Sequence, residues 1–164
     1  MGVGIKWVDK GLRAVFGELD KMAKEKPYVS VGIPASKRVD SKTGLTNGQV
    51  AIVMEFGLKG GSSDLKHDIP ARPFIGPTIT ENKRKYLYAV RKSMKLLVTN
   101  RPHAEYGLKA LGARVVNDIR EAIKSNIPPR NSKYTLERKN GTRTLIDTGQ
   151  MMAAVTYKLM KGDK

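Results

Sequence analysis

Val8, Leu12, Val15, Leu19 and Met22 recur at alternating steps of four and three, which places one apolar stripe along a helical cylinder. Asp9 falls in the first turn of that helix, and Lys24 and Lys26 lie near its end, as the macrodipole favours. Pro27 stops it. Tyr28 to Ile33 then switches to period two, with Val29, Val31 and Ile33 on one face, which predicts a strand. Residues 35–48 are polar and turn-rich and predict a long mobile loop. Gln49 to Phe56 reads as a short helix closed by Gly57, the residue best suited to a left-handed cap. A flexible stretch from Lys59 to Asp64 follows. Ile69 to Ile75 holds two prolines around Ala71-Arg72, so its backbone is expected to be extended and to pair on one side at most.

Pro77 is placed as the first residue of a helix running to about Val98, with Leu87, Val90, Met94 and Leu97 expected on its buried side. The opposite side carries Arg84, Tyr88, Arg91 and Lys95 at i, i+4, i+7 and i+11, a basic stripe with an aromatic in it. After Arg101-Pro102 a second long helix turns Leu108, Leu111, Val115, Ile119 and Ala122 inward. Its solvent side offers Lys109, Arg120 and Lys124, partly offset by Asp118 and Glu121. Pro128-Pro129 ends it. Residues 130–144 read as a polar, basic loop with one helical turn around Thr135 to Lys139. A final strand is expected over Ala153 to Met160, where Val155, Tyr157 and Leu159 alternate with Ala154, Thr156 and Lys158. Strands far apart in sequence, with helices packed on them, predict an α+β fold. The expected architecture is a single domain over residues 1–164. It has a small, mainly antiparallel sheet, an N-terminal helix, two long central helices and mobile loops at about 35–48, 58–68 and 128–144.

Composition narrows the function classes. Cysteine is absent, which removes disulfides, thiolate metal sites and a cysteine nucleophile. No run approaches the roughly 18 apolar residues of a membrane span, and no signal-peptide hydrophobic region opens the chain, so a soluble protein is expected. The 31 Lys and Arg against 15 Asp and Glu give a formal charge of +16. That excess attracts polyanions, whether nucleic acid or an acidic partner.

No credible catalytic set emerges. Leu145-Ile146-Asp147-Thr148-Gly149 matches the catalytic turn of retropepsin-type aspartic proteases, in which two carboxylates share a proton across a dimer. That chemistry needs a β-barrel and flaps after the turn, whereas here long helices precede it and fifteen residues follow. A turn before a terminal strand accounts for the same residues. Asp64, His67 and Asp68 form a poor metal set without a second histidine. His103 is expected near a helix start. Phosphate-loop, zinc-protease and serine-hydrolase motifs are missing from the sequence. Neither an enzyme nor a cofactor is expected.

Three segments in order, Gln49 to Gly57, Ile69 to Ile75 and Leu145 to Gly149, resemble the neck and tail-completion proteins of tailed bacteriophages. The likeness rests on an Ala-x-x-x-Glu-Phe-Gly helix end (Ala51 to Gly57) and a Pro-Ala-Arg-Pro-Phe segment (Pro70 to Phe74). It continues with Pro129, Thr135 and Lys139, then Leu145 to Gly149, and finally Thr156-Tyr157, so that it spans nearly the whole chain. Residues 35–48 and 130–144 follow no such pattern.

The resemblance implies a non-enzymatic subunit of the virion, made in the host cytoplasm, forming a ring around the DNA channel at the head–tail junction. The ring is commonly sixfold. Implied neighbours are a connector or head-closure ring and the tail tube or tail terminator, with double-stranded DNA in the channel and no membrane. Glu55, Phe56, Arg72, Phe74 and Asp147 are the residues assigned to ring or partner contacts. For Phe74 and Arg72 the alternative is internal: Phe74 in the core and Arg72 paired with Glu55. Arg84, Tyr88, Arg91 and Lys95 are the candidate face for DNA or an acidic partner. A stand-alone basic DNA-binding accessory protein is the alternative function.

Overall fold

A computed structural model describes residues 12–35, 44–60, 68–99, 104–139 and 141–162. The fold is α+β. In chain order the described elements are α1 (Leu12–Glu25), β1 (Tyr28–Gly32), α2 (Asn47–Phe56), α3 (Gly76–Thr99), α4 (Ala104–Lys124), α5 (Lys133–Arg138), α6 (Gln150–Ala154) and β2 (Thr156–Met160). β1 and β2 pair antiparallel, with Tyr28 opposite Met160 and Gly32 opposite Thr156. Joining a strand near one end of the chain to one near the other fixes the topology.

α4 is the centre of the molecule, with α3 on one side and the two-stranded sheet on the other. Its Val115, Val116, Ile119 and Ile123 are buried, together with Phe74, Tyr86, Leu145, Met151 and Val155. Leu111 and Ala122 pack partly buried against this core, as the helical spacing predicts. Gly112 lets the sheet come close, since a Cβ there would stand 2.5 Å from Tyr157 Cδ2 and 2.9 Å from Val29 Cγ2. No larger residue fits without displacement.

Several expectations are corrected. Of the side of α3 expected to be buried, Val90 is half-buried but Leu87 and Met94 are exposed, and the side chain of Leu97 lies outside those described. Thr78 and Tyr86 are buried instead, with Asn82, Ala89 and Ser93 half-buried along the same side. Polar pairing overrides hydropathy here. The Tyr86 hydroxyl donates to Asp118 Oδ2 at 2.8 Å and Lys85 Nζ reaches the same oxygen at 2.9 Å, so a tyrosine and an aspartate set the seam between α3 and α4. Asp118 therefore lies in that seam. Arg120 also turns away from solvent, donating from Nη2 to the carbonyls of Val155 at 2.9 Å and Ala153 at 3.4 Å.

α2 begins at Asn47 rather than Gln49, because Thr46 and Gln49 form a capping box within what reads as loop. Pro77 is the second residue of α3, after Gly76. The expected strand over 153–160 is shorter, with α6 occupying its start. Gly149, in the left-handed region at φ 76°, swings the chain into that helix. Ile33 follows β1 rather than belonging to it. In α1, Val15 and Met22 are half-buried but Leu19 is exposed. Val8, Asp9, Asp64, His67 and His103 lie outside the described residues, as does most of 35–48 and of 58–68.

Candidate functional site

The first two of the three sequence segments meet at one polar junction, built from the end of α2, the extended run before α3 and the chain on either side of α5. α2 ends at Phe56, and Gly57 turns the chain at φ 75°. A Cβ at Gly57 would lie 2.9 Å from both Ala71 N and Ile69 O, so the returning strand can pass this closely only over glycine. Leu58 and Ile69 exchange backbone hydrogen bonds of 2.9 and 2.8 Å, and Arg72 N donates to Met54 O at 2.6 Å. The proline-stiffened segment is thus extended and held on its α2 side.

Glu55 does not pair with Arg72. Its carboxylate accepts the backbone amides of Phe74 (2.7 Å) and Ile75 (3.0 Å) at Oε2, and of Gly76 (2.8 Å) at Oε1. These are orphan donors at the start of α3, where a negative charge also meets the positive end of the helix dipole. Phe74, 1% exposed, anchors the same turn in the core.

Arg72 is buried and points the other way. Its Nε donates to Pro129 O at 2.8 Å and its Nη2 to Arg130 O at 3.4 Å. Burial lowers its pKa from the ordinary arginine value. Lys139 closes the junction by donating to Arg143 O (2.9 Å) and Thr144 O (2.8 Å). Burial lowers the Lys139 pKa most, Asp147 raises it, and Arg72 lowers it further. Thr144 N donates to Asn126 Oδ1 at 2.9 Å, tying this segment to the end of α4. Leu145 is buried beyond it.

The assigned contact residues therefore divide. Glu55 and Arg72 make their hydrogen bonds within the chain, and Phe74 is buried in its core. Asp147 is half-buried within electrostatic reach of Lys139. Phe56 points outward, 77% exposed, with Ile52 one turn before it at 61%. This uncovered ridge exists because α2 is apolar nearly all round but packs on one side only, where Ala51 is buried and α6 lies against it. Ile52 was legible on the helical wheel, one turn from Phe56, once α2 is given a single covered face. Lys139 and Asn126 carry no local signal that marks them as junction residues.

The second surface is the outer side of α3. Arg84, Tyr88, Arg91 and Lys95 are all exposed on the side turned from α4. Asp68, the one described member of the weak metal set, accepts Gly60 N at 2.6 Å. Among the described residues no group of three or more His, Cys, Asp or Glu is placed to hold a metal ion, and no helix is long and apolar enough to cross a membrane. Chemically, the junction matches side-chain charges to backbone amides and carbonyls and joins chain segments distant in sequence. Comparison with protein-family models, with curated proteins and with solved structures finds no match to the chain.

Proposed function

We propose that this chain is a structural subunit of the head–tail junction of a tailed bacteriophage, a neck or tail-completion protein acting by assembly rather than catalysis. In this reading copies of the chain close into a ring, sixfold to match the tail, between a connector or head-closure ring and the tail tube or terminator. It is built in the host cytoplasm and ends in the virion. The observation that carries the reading is the junction itself. Glu55 of the first segment caps the turn that follows the second, and Arg72 of the second holds the carbonyl of Pro129, so residues of the resemblance that are distant in sequence meet in space.

Ring closure needs heterologous contacts from two different faces of each subunit. The Ile52–Phe56 ridge supplies an apolar face on a helix whose end the junction fixes. α1 supplies a second, with Phe16 66% exposed and Leu19 exposed beside it. α1 is tied to the body by Gly162 N to Glu25 O at 2.9 Å, by the Lys161–Glu25 ion pair and by Lys21 to Glu105 of α4 at 3.9 Å.

Electron microscopy of lysates after deletion of the reading frame from its parent phage or prophage tests the proposal. Filled heads beside separate tails are expected for a joining role and over-long tails for a terminator. Intact infectious particles refute it and leave the DNA-binding accessory reading, which the exposed cations of α3 favour.

A further inference from the structure

We infer that the outer face of α3 binds the backbone of double-stranded DNA without regard to sequence. α3 holds six cations, Lys83, Arg84, Lys85, Arg91, Lys92 and Lys95, against one acid, Glu81. On α1 and α4 acids stand beside several cations, in the pairs Lys24–Asp20, Lys161–Glu25, Lys109–Glu105 and Lys124–Glu121, whereas Arg130, Lys133, Arg138 and Arg143 around α5 are exposed without such pairs. On α3, Lys85 is held by Asp118 on the flank that meets α4. Lys83, Arg84, Arg91 and Lys92 are exposed with no ion pair to any described acid. What sets α3 apart from the cations around α5 is that its outer cations recur along one straight helix face at i, i+7 and i+11.

Geometry selects the polyanion. From Arg84 to Lys95 the stripe runs about 16 Å along the helix, the axial length of roughly five phosphates on one strand of a duplex. Tyr88, 68% exposed in the middle, presents a hydroxyl able to donate to a phosphate oxygen. Single-strand binding uses successive aromatic platforms, and this stripe has one aromatic. Protein interfaces centre on apolar groups depleted of charge, and the stripe Arg84–Tyr88–Arg91–Lys95 contains no aliphatic side chain. The exposed Leu87 and Met94 flank the stripe along one side, next to Arg91.

The test is fluorescence anisotropy of the full chain with labelled duplexes of about 25 base pairs and unrelated sequences, titrated between 50 and 200 mM salt. The wild type should bind all of them with a steep salt slope. Arg84→Ala/Arg91→Ala/Lys92→Ala should lower the slope by up to about 2.7 and affinity at least about tenfold. A control, Lys24→Ala/Lys124→Ala/Lys161→Ala, should bind nearly as the wild type does. Single Arg84→Glu and Arg91→Glu variants, checked by circular dichroism, guard against a fold defect in the triple variant.

Equal binding by wild type and stripe variants overturns the inference, as does no binding at 50 mM salt. A tenfold preference for single strands, or loss of an acidic protein partner with duplex binding intact, overturns it too. The assay uses the isolated chain, whereas the ring reading is tested in particles, so failure of one is distinct from failure of the other.

Discussion

Removing the Glu55 carboxylate should destabilise the isolated chain, because three amide donors lose their acceptor together. Phe74 N and Ile75 N are part-buried, and each orphaned buried donor costs about 1–3 kcal/mol. Gly76 N is exposed and water replaces its partner, so only the cap and dipole contribution is lost there, about 0.5–2 kcal/mol. Allowing for partial rearrangement, Glu55→Ala should cost about 3 kcal/mol. For a domain of this size that lowers the midpoint of thermal unfolding by about 6–12 °C. Glu55→Gln keeps one oxygen able to accept and turns an NH2 toward the remaining donors, so it should lose about half as much or more. Urea unfolding of the monomer, with the slope m unchanged between variants, reads the difference. A loss under about 0.5 kcal/mol for Glu55→Ala, within the range of a neutral surface change, would refute the capping role. Normal monomer stability with failed assembly would then return Glu55 to a partner contact.

The remaining predictions follow from the same geometry. Arg72→Met should destabilise by about 2–4 kcal/mol in urea, since it strips two carbonyls of their donor in a buried place, and an unchanged midpoint with blocked assembly would mean that the guanidinium faces a partner. Phe56→Ser should shift stability by no more than about 0.5 kcal/mol, because the ring is solvent-exposed, while lowering the oligomer mass seen by light scattering; a large unfolding shift would place Phe56 in the core. Gly112→Ala should cost about 1–3 kcal/mol by pushing Tyr157 and Val29 from α4, and a neutral result would mean the sheet yields freely. The Tyr86 phenol is raised above its ordinary pKa, by burial first and then by its bond to Asp118. The folded state therefore keeps that proton when the unfolded chain has lost it, so stability should fall as pH rises above about 10. Tyr86→Phe should flatten the fall in denaturation midpoints between pH 9 and 11.5, and an unchanged slope would sink the assignment.

Much of the fold was legible because it rests on local patterns. The period-two run from Val29 and the helical spacing of Leu111, Val115 and Ile119 each say which side is buried, and the structure agrees. α3 was misread for a physical reason. Its apolar edge at Leu87 and Met94 competes with a polar edge at Tyr86, and the polar edge wins because Asp118 on α4 satisfies it. That partner is 32 residues away, so no local window contains it. The Glu55 cap escaped for the same reason: its amides lie 19 to 21 residues on, beyond any helix-capping pattern that spans three. Arg72 and Glu55 have opposite charge and stand near in sequence, which suggested an ion pair. The backbone offers each a better match, since Glu55 finds three donors and Arg72 finds two carbonyls.

That preference bears on where recognition by this molecule can reside. A charge answered by its own backbone has little left to offer a partner, and moving it would open the turn it closes. Glu55 thus ties the end of α2 to the start of α3, Arg72 ties the run between them to Pro129 and Arg130, and Lys139 closes the turn to Arg143 and Thr144. The groups free to discriminate a partner are the ones those helices carry outward, Ile52 and Phe56 on one and Arg84, Tyr88 and Arg91 on the other. An exposed apolar ridge and an unneutralised basic stripe differ in kind: the first gains by excluding water and is insensitive to salt, the second by releasing counterions and is salt-sensitive. If both proposals hold, one chain meets a protein neighbour through the ridge and a nucleic acid through the stripe. Salt should then weaken one association while leaving the other intact.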